Sequence, residues 1–178
     1  RREGVAPGAM DRRRWLRDAG LLALSGAWSA AGQARPSREI VDDAGRTVRV
    51  PVRAMRIFAA GPPASILVFA VAPDTLLGWT TPFRPAELPF VPGKYADLPV
   101  TGRLTGRGGS ASLEAVVASR PDLIVDYGAV NDTFASLADR VQKQTGIPYL
   151  LLDGAFDRIP DSIRTIGALA GEEARADD

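Results

Sequence analysis

The most unusual stretch of the chain, residues 102–110, reads Gly-Arg-Leu-Thr-Gly-Arg-Gly-Gly-Ser. Glycines let backbone amides come close to a ligand, and Arg103 and Arg107 offer paired guanidinium donors. A helix expected just after them adds partial positive charge at its N-terminus, so the segment suits an anion. The alternative is a surface loop whose arginines are simply solvated. Within it, Gly106-x-Gly108-x-x-Ala111 also satisfies a dinucleotide fingerprint, with Asp126 standing 20 residues after Gly106. That fingerprint needs a strand directly before it, and residues 99–101 are at most a stub. A nucleotide-dependent oxidoreductase is therefore the second reading.

Other chemistry would come from aromatic faces and lone acids. Trp79, Tyr95, Tyr127 and Phe156 fall in or near loops expected at strand ends, where they either stack on a flat or apolar ligand or pack internally. Arg84 is a further candidate for meeting negative oxygens. Asp126 and Asp153, each at a strand end, read best as structural groups.

Composition removes whole classes of activity. The 178 residues include no cysteine and no histidine. Disulfides, thiol nucleophiles and Ser-His-Asp triads are thus excluded, and direct capture of bare zinc or manganese is disfavoured. Residues 1–34 hold six arginines against three acids, leaving 16 basic and 18 acidic groups over residues 35–178. A body with that balance, and no basic stripe with interleaved aromatics, is not built for nucleic acid.

The positive charge is concentrated at the start. Arg12, Arg13 and Arg14 lead into Trp15, Leu16 and Arg17, and residues 19–31 then carry no charge. That is the n-region and h-region of an export signal, too short for a membrane span. Small residues follow, with cleavage expected after Ala31 or Ala34. The six residues 12–17 resemble the twin-arginine export motif, with Trp15 and Arg17 where phenylalanine and lysine are usual. Residues 1–9 precede Met10 and read as upstream sequence.

The elements that must position these groups alternate. Residues 40–41 and 47–50 flank a polar turn containing Gly45, predicting a β-hairpin. Apolar runs at residues 56–60, 76–80, 123–127 and 149–152 predict strands, and unbroken runs such as Leu123-Ile124-Val125 suit a parallel sheet buried on both faces. Helices are predicted over residues 64–70, 113–119, 132–145 and 160–170, the third from Phe134, Leu137, Ala138 and Val141 with Gly146 as its stop. The fold class is α/β, a mostly parallel sheet flanked by helices, with its ligand loops at the carboxyl ends of the strands. Residues 81–112, rich in proline and glycine, form a long irregular stretch expected to be functional.

The order of these pieces resembles a known family. Asp43-Ala44-Gly45-Arg46, Leu76-Leu77-Gly78-Trp79, the leucine-glutamate helix Ser112-Leu113-Glu114-Ala115-Val116-Val117 leading into Arg120-Pro121-Asp122-Leu123-Ile124-Val125, and Gln144-Thr145-Gly146-Ile147-Pro148 look like the substrate-binding proteins of iron-complex ABC importers. The resemblance covers about residues 40–176. It implies a periplasmic protein that is not an enzyme and needs no cofactor of its own. Two lobes joined by a long helix would carry a siderophore, haem or related metal chelate to an ABC permease and its ATPase.

On that resemblance residues 35–171 are the first lobe and residues 172–178 begin the interlobe helix, with no membrane span in the mature chain and a monomeric state. A half-site of this kind would bind weakly. Glu114 matches the glutamate that pairs with permease arginines. Trp79, Arg84, Tyr95, Arg103, Arg107 and Tyr127 are the expected ligand contacts, chosen on loop position and chemistry.

Overall fold

The computed structural model describes residues 36–106 and 108–177. The export signal expected over residues 1–34, and Arg107, lie outside the described residues.

The described chain opens with the antiparallel hairpin β1 (Ser37–Val41) and β2 (Thr47–Pro51), in which Val41 pairs with Thr47. Its turn closes because the Asp42 carboxylate accepts the backbone N–H groups of Ala44 and Arg46 at 3.1 and 2.9 Å, and because Gly45 takes φ 74°. A parallel sheet of β3 (Ile57–Ala59), β4 (Leu123–Gly128) and β5 (Tyr149–Asp153) follows in that spatial order. Ile57 pairs with Leu123, and Ile124 with Tyr149.

Helices cover both faces, which is why the strands read as unbroken apolar runs. Ile57, Ala59, Leu123, Val125, Leu150 and Leu152 pack on α1 (Pro62–Val71) and α5 (Ile159–Ala170). Phe58, Ile124 and Tyr149, pointing the other way, pack on Val116 of α3 (Leu113–Ala118) and on Ala138 and Val141 of α4 (Asp132–Thr145). α4 has the predicted bounds. Asn131 Oδ1 accepts the N–H groups of Thr133 and Phe134 at its start, and Gly146 stops it at φ 72°. A last helix, α6 (Glu173–Asp177), folds back on α5 where Gly167 leaves room for Ala176.

One predicted strand is not a strand. Residues 76–80 make only isolated parallel bridges, Leu76 with Ile57 and Trp79 with Val100. The segment changes partner midway: Leu77 N–H donates to Ile57 O at 3.0 Å, whereas Trp79 N–H donates to Pro99 O at 2.9 Å. Gly78 permits that crossing, since a Cβ there would run into the Pro99 carbonyl. The irregular stretch that follows holds a 3-10 turn at Leu88–Phe90 and the short helix α2 (Gly93–Ala96).

The hairpin turn is fastened along β5. Asp43 N–H donates to Leu151 O at 3.1 Å, while Leu151 N–H donates to Asp42 Oδ2 at 3.3 Å and Asp153 N–H to Asp43 Oδ2 at 2.8 Å. Arg46 completes the join by donating to Tyr149 O at 2.7 Å and to Asp42 Oδ2 at 2.6 Å.

Candidate functional site

Parallel strands all end on one side of their sheet, so the turns after β3, β4 and β5 share a face. The glycine-rich loop is carried to it. Leu104 and Thr105 N–H both donate to Ala60 O, at 2.8 and 3.0 Å, immediately beyond β3. Its neck is shut where Ser110 and Ala111 N–H donate to Arg103 O at 3.0 and 3.1 Å. Gly106 and Gly108 adopt φ 88° and 69°, the left-handed region that favours glycine. Arg103 is half-buried and donates from Nε to Gly108 O at 3.2 Å, so part of its guanidinium braces its own loop.

Beneath the loop lies Asp126, 5% exposed. The hydroxyls of Thr105 and Tyr149 donate to its two oxygens at 3.1 and 3.0 Å. Burial pushes its carboxyl above the usual range, and these two hydroxyls with the Tyr127 amide oppose the rise. Asp153, by contrast, accepts Ala155 N–H at 2.9 Å and caps its turn. Both acids serve structure here.

Two depressions adjoin along the strand tips, with Pro62 bordering both. The first, about 160 Å³, is lined by Thr105, Gly106, Tyr127, Gly128 and Phe134. The second, about 350 Å³, is an apolar shelf of Ile66, Trp79, Phe83, Phe90 and Val91 with Thr80 and Thr81 on its polar side. Phe90 is 85% exposed on it. Among the described residues no group of His, Cys, Asp or Glu could hold a metal ion.

The expected contacts separate into groups. Tyr127 and Arg103 sit at the loop. Trp79 and Tyr95 meet each other: Trp79 is largely buried against Phe69 and Phe83, and its indole N–H donates to Tyr95 O at 2.7 Å. The Tyr95 hydroxyl donates to Asp74 at 3.0 Å. Arg84 is exposed and paired with Glu87, whose carboxylate also accepts the Arg84 backbone N–H at 2.8 Å. Phe156 stands exposed after β5.

Glu114 belongs to a different surface. It is exposed on the first turn of α3, where its own amide and the Ser112 hydroxyl hold its carboxyl below the ordinary value. Leu113, Val117 and Gln144 line an open groove beside it.

The dinucleotide reading fails on this geometry. Residues 99–101 contribute one bridge and no strand, and the next helix begins only at Leu113. Asp126, which would have to reach a ribose, is turned inward onto two hydroxyls.

Thr105, Phe134 and the Ile66–Phe90 shelf border the site without having been expected there from the sequence. Phe134 belongs to the helix stripe, and its place in the first turn of α4, just beyond β4, is the signal for a strand-tip position. Thr105 gave no such signal, because its partner is 21 residues away.

No protein-family model matches the chain, and no curated protein does. Solved structures do match. An ABC transporter solute binding protein from Sulfurospirillum deleyianum shares 24% identity at a TM-score of 0.65, over 78% of this chain and 44% of that one. The molybdate periplasmic binding protein MolA of Haemophilus influenzae shares 15% at 0.60, over 79% and 48%. The heme binding protein HmuT shares 20% at 0.53, over 79% and 43%. The chain thus spans less than half the length of each. It has the fold of part of the two-lobed solute-binding proteins of ABC transporters.

Proposed function

We propose that this chain is the first lobe of an exported solute-binding protein that captures an iron chelate, such as a ferric siderophore or haem, and delivers it chemically unaltered to an ABC permease and its ATPase. The carrying observation is the glycine-rich loop held on Ala60 O at the strand tips, beside Tyr127 and next to an apolar shelf. A chelate with negative oxygens and an apolar periphery suits that pairing of surfaces. Arg103, braced through Nε, presents its terminal nitrogens to the cargo, with Arg107 and Arg84 as further cations. Tyr127, Trp79 and the exposed rim of the shelf cover the apolar part, with Tyr95 holding the Trp79 indole in place.

The export signal resembling the twin-arginine type sends the protein to the periplasm already folded, where it works as a monomer. Residues 172–178 lead toward the second lobe, and Glu114 docks the permease through its arginines.

Titrating the chain with a ferric catecholate complex, haemin, molybdate and NAD while following tryptophan fluorescence tests the reading. Saturable quenching by a ferric chelate that is released unchanged is the expected result. Binding of NAD alone, or turnover of any bound compound, overturns it.

A further inference from the structure

We infer that Thr105 is a positioning residue: its hydroxyl, seated in the space left by the missing side chain of Gly61, is the pin that docks the glycine-rich loop, and Asp126 with Tyr149 is the buried socket that receives it.

The socket belongs to the sheet. Ile124 and Tyr149 pair across β4 and β5 and look toward α3 and α4, and Asp126, two residues on from Ile124, looks the same way. Tyr149 is fully buried and supplies one hydroxyl to Asp126 Oδ2. The other oxygen, Oδ1, takes its hydrogen bond from Thr105. A buried carboxylate that loses a hydroxyl donor costs more than an ordinary lost hydrogen bond, even with the Tyr127 amide still beside it. The sheet therefore creates a demand that the loop satisfies.

The slot is equally specific. An ideal Cβ on Gly61 would stand 2.6 Å from Thr105 Oγ1 and 3.9 Å from Asp126 Oδ1, so any larger residue there competes with the hydroxyl for its seat. Thr105 is 7% exposed, whereas Gly106, Gly108 and Gly109 beyond it are exposed and have no side chains with which to pack. The loop is thus tied to the sheet by one buried hydroxyl and by the two amides on Ala60 O, with Leu104 packed beside them, while Arg103 closes its neck. That the pin holds the loop where cargo meets it rests on the proposed binding role; the pin itself does not.

Amide hydrogen exchange of Leu104 and residue 105 in the full chain reads the docked state without a ligand. Thr105→Val should speed it about tenfold or more, the factor a hydrogen bond to a charged group is worth, with β4 and β5 still protected. Thr105→Ser should restore slow exchange. Gly61→Ala, which fills the slot by another route, should reproduce the fast exchange and keeps the test decisive if the valine variant does not fold. Parental exchange in either the valine or the alanine variant, or a serine variant as fast as valine, overturns the pin. Titration of the same variants with a ferric catecholate complex separates the two ideas. Fast exchange with weakened binding supports both; fast exchange with full-strength binding keeps the pin and overturns the loop's part in holding cargo.

Discussion

Tyr149 and Asp126, on neighbouring strands, share a 3.0 Å hydrogen bond that is shielded from water. Burial raises the pKa of the Asp126 carboxyl, and burial together with the Asp126 charge raises that of the Tyr149 phenol, which remains a neutral donor. The folded protein therefore holds the Asp126 proton to a higher pH than the unfolded chain does. Through the window between the ordinary carboxylate value and the raised one, this group's contribution to stability grows as pH falls, and it is unfavourable above that window. Urea unfolding of the parent and Asp126→Asn at pH 4 and pH 7.5 should show the variant losing that component. Glu87, Glu114 and Asp74, whose values are lowered, act in the opposite sense in both proteins and cancel in the comparison.

Arg46→Leu should cost about 3 kcal/mol, as expected when one partner of a buried ion pair is removed. Asp42 has a fully buried side chain and would lose its main counterion. Asp139→Ala should cost little, because that partner of Arg46 is 67% exposed. Denaturant midpoints for the two variants give the contrast directly.

The double change Arg103→Ala with Arg107→Ala should weaken ferric catecholate binding about tenfold or more, the worth of charge-assisted hydrogen bonds to a negative oxygen. Binding at parental strength discards the cationic loop as a cargo contact. Arg103→Ala alone should also loosen the loop, since it removes the bond to Gly108 O.

Glu114→Arg should leave cargo binding unchanged and destabilise the fold only slightly, because the residue is exposed at its helix N-terminus and its side chain makes none of the loop's anchoring bonds. Uptake by cells carrying the cognate permease should fall sharply. Normal uptake with normal binding assigns Glu114 to its helix terminus alone.

The parts of the fold legible in the amino-acid order are those fixed by local chemistry. Leu123-Ile124-Val125 reads as a doubly buried strand and is one; the stripe of α4 and its Gly146 stop gave the helix its observed bounds. Residues 76–80 look just as strand-like, but their pairing passes from Ile57 to Val100, a change decided by distant backbone that leaves no periodic trace. The site divides likewise. The glycine-rich composition marks the loop, yet the bond between Thr105 and Asp126 depends on a register between separate strands and on an empty place at Gly61. Trp79 shows the converse, since an aromatic ring near a strand end carries no sign of whether it faces ligand or core.

A border strand ordinarily offers its unpaired amides and carbonyls to any extended polypeptide that drifts past. Along β5 the Leu151 and Asp153 amides and the Tyr149 and Leu151 carbonyls are already engaged by Asp42, Asp43 and Arg46. The turn that shapes the N-terminal ribbon thus also withholds a template for intermolecular β-stacking. Self-association by that route would have to await release of the ribbon, so weakening the Asp42–Arg46 clasp should raise the protein's tendency to form fibrils before it impairs cargo capture.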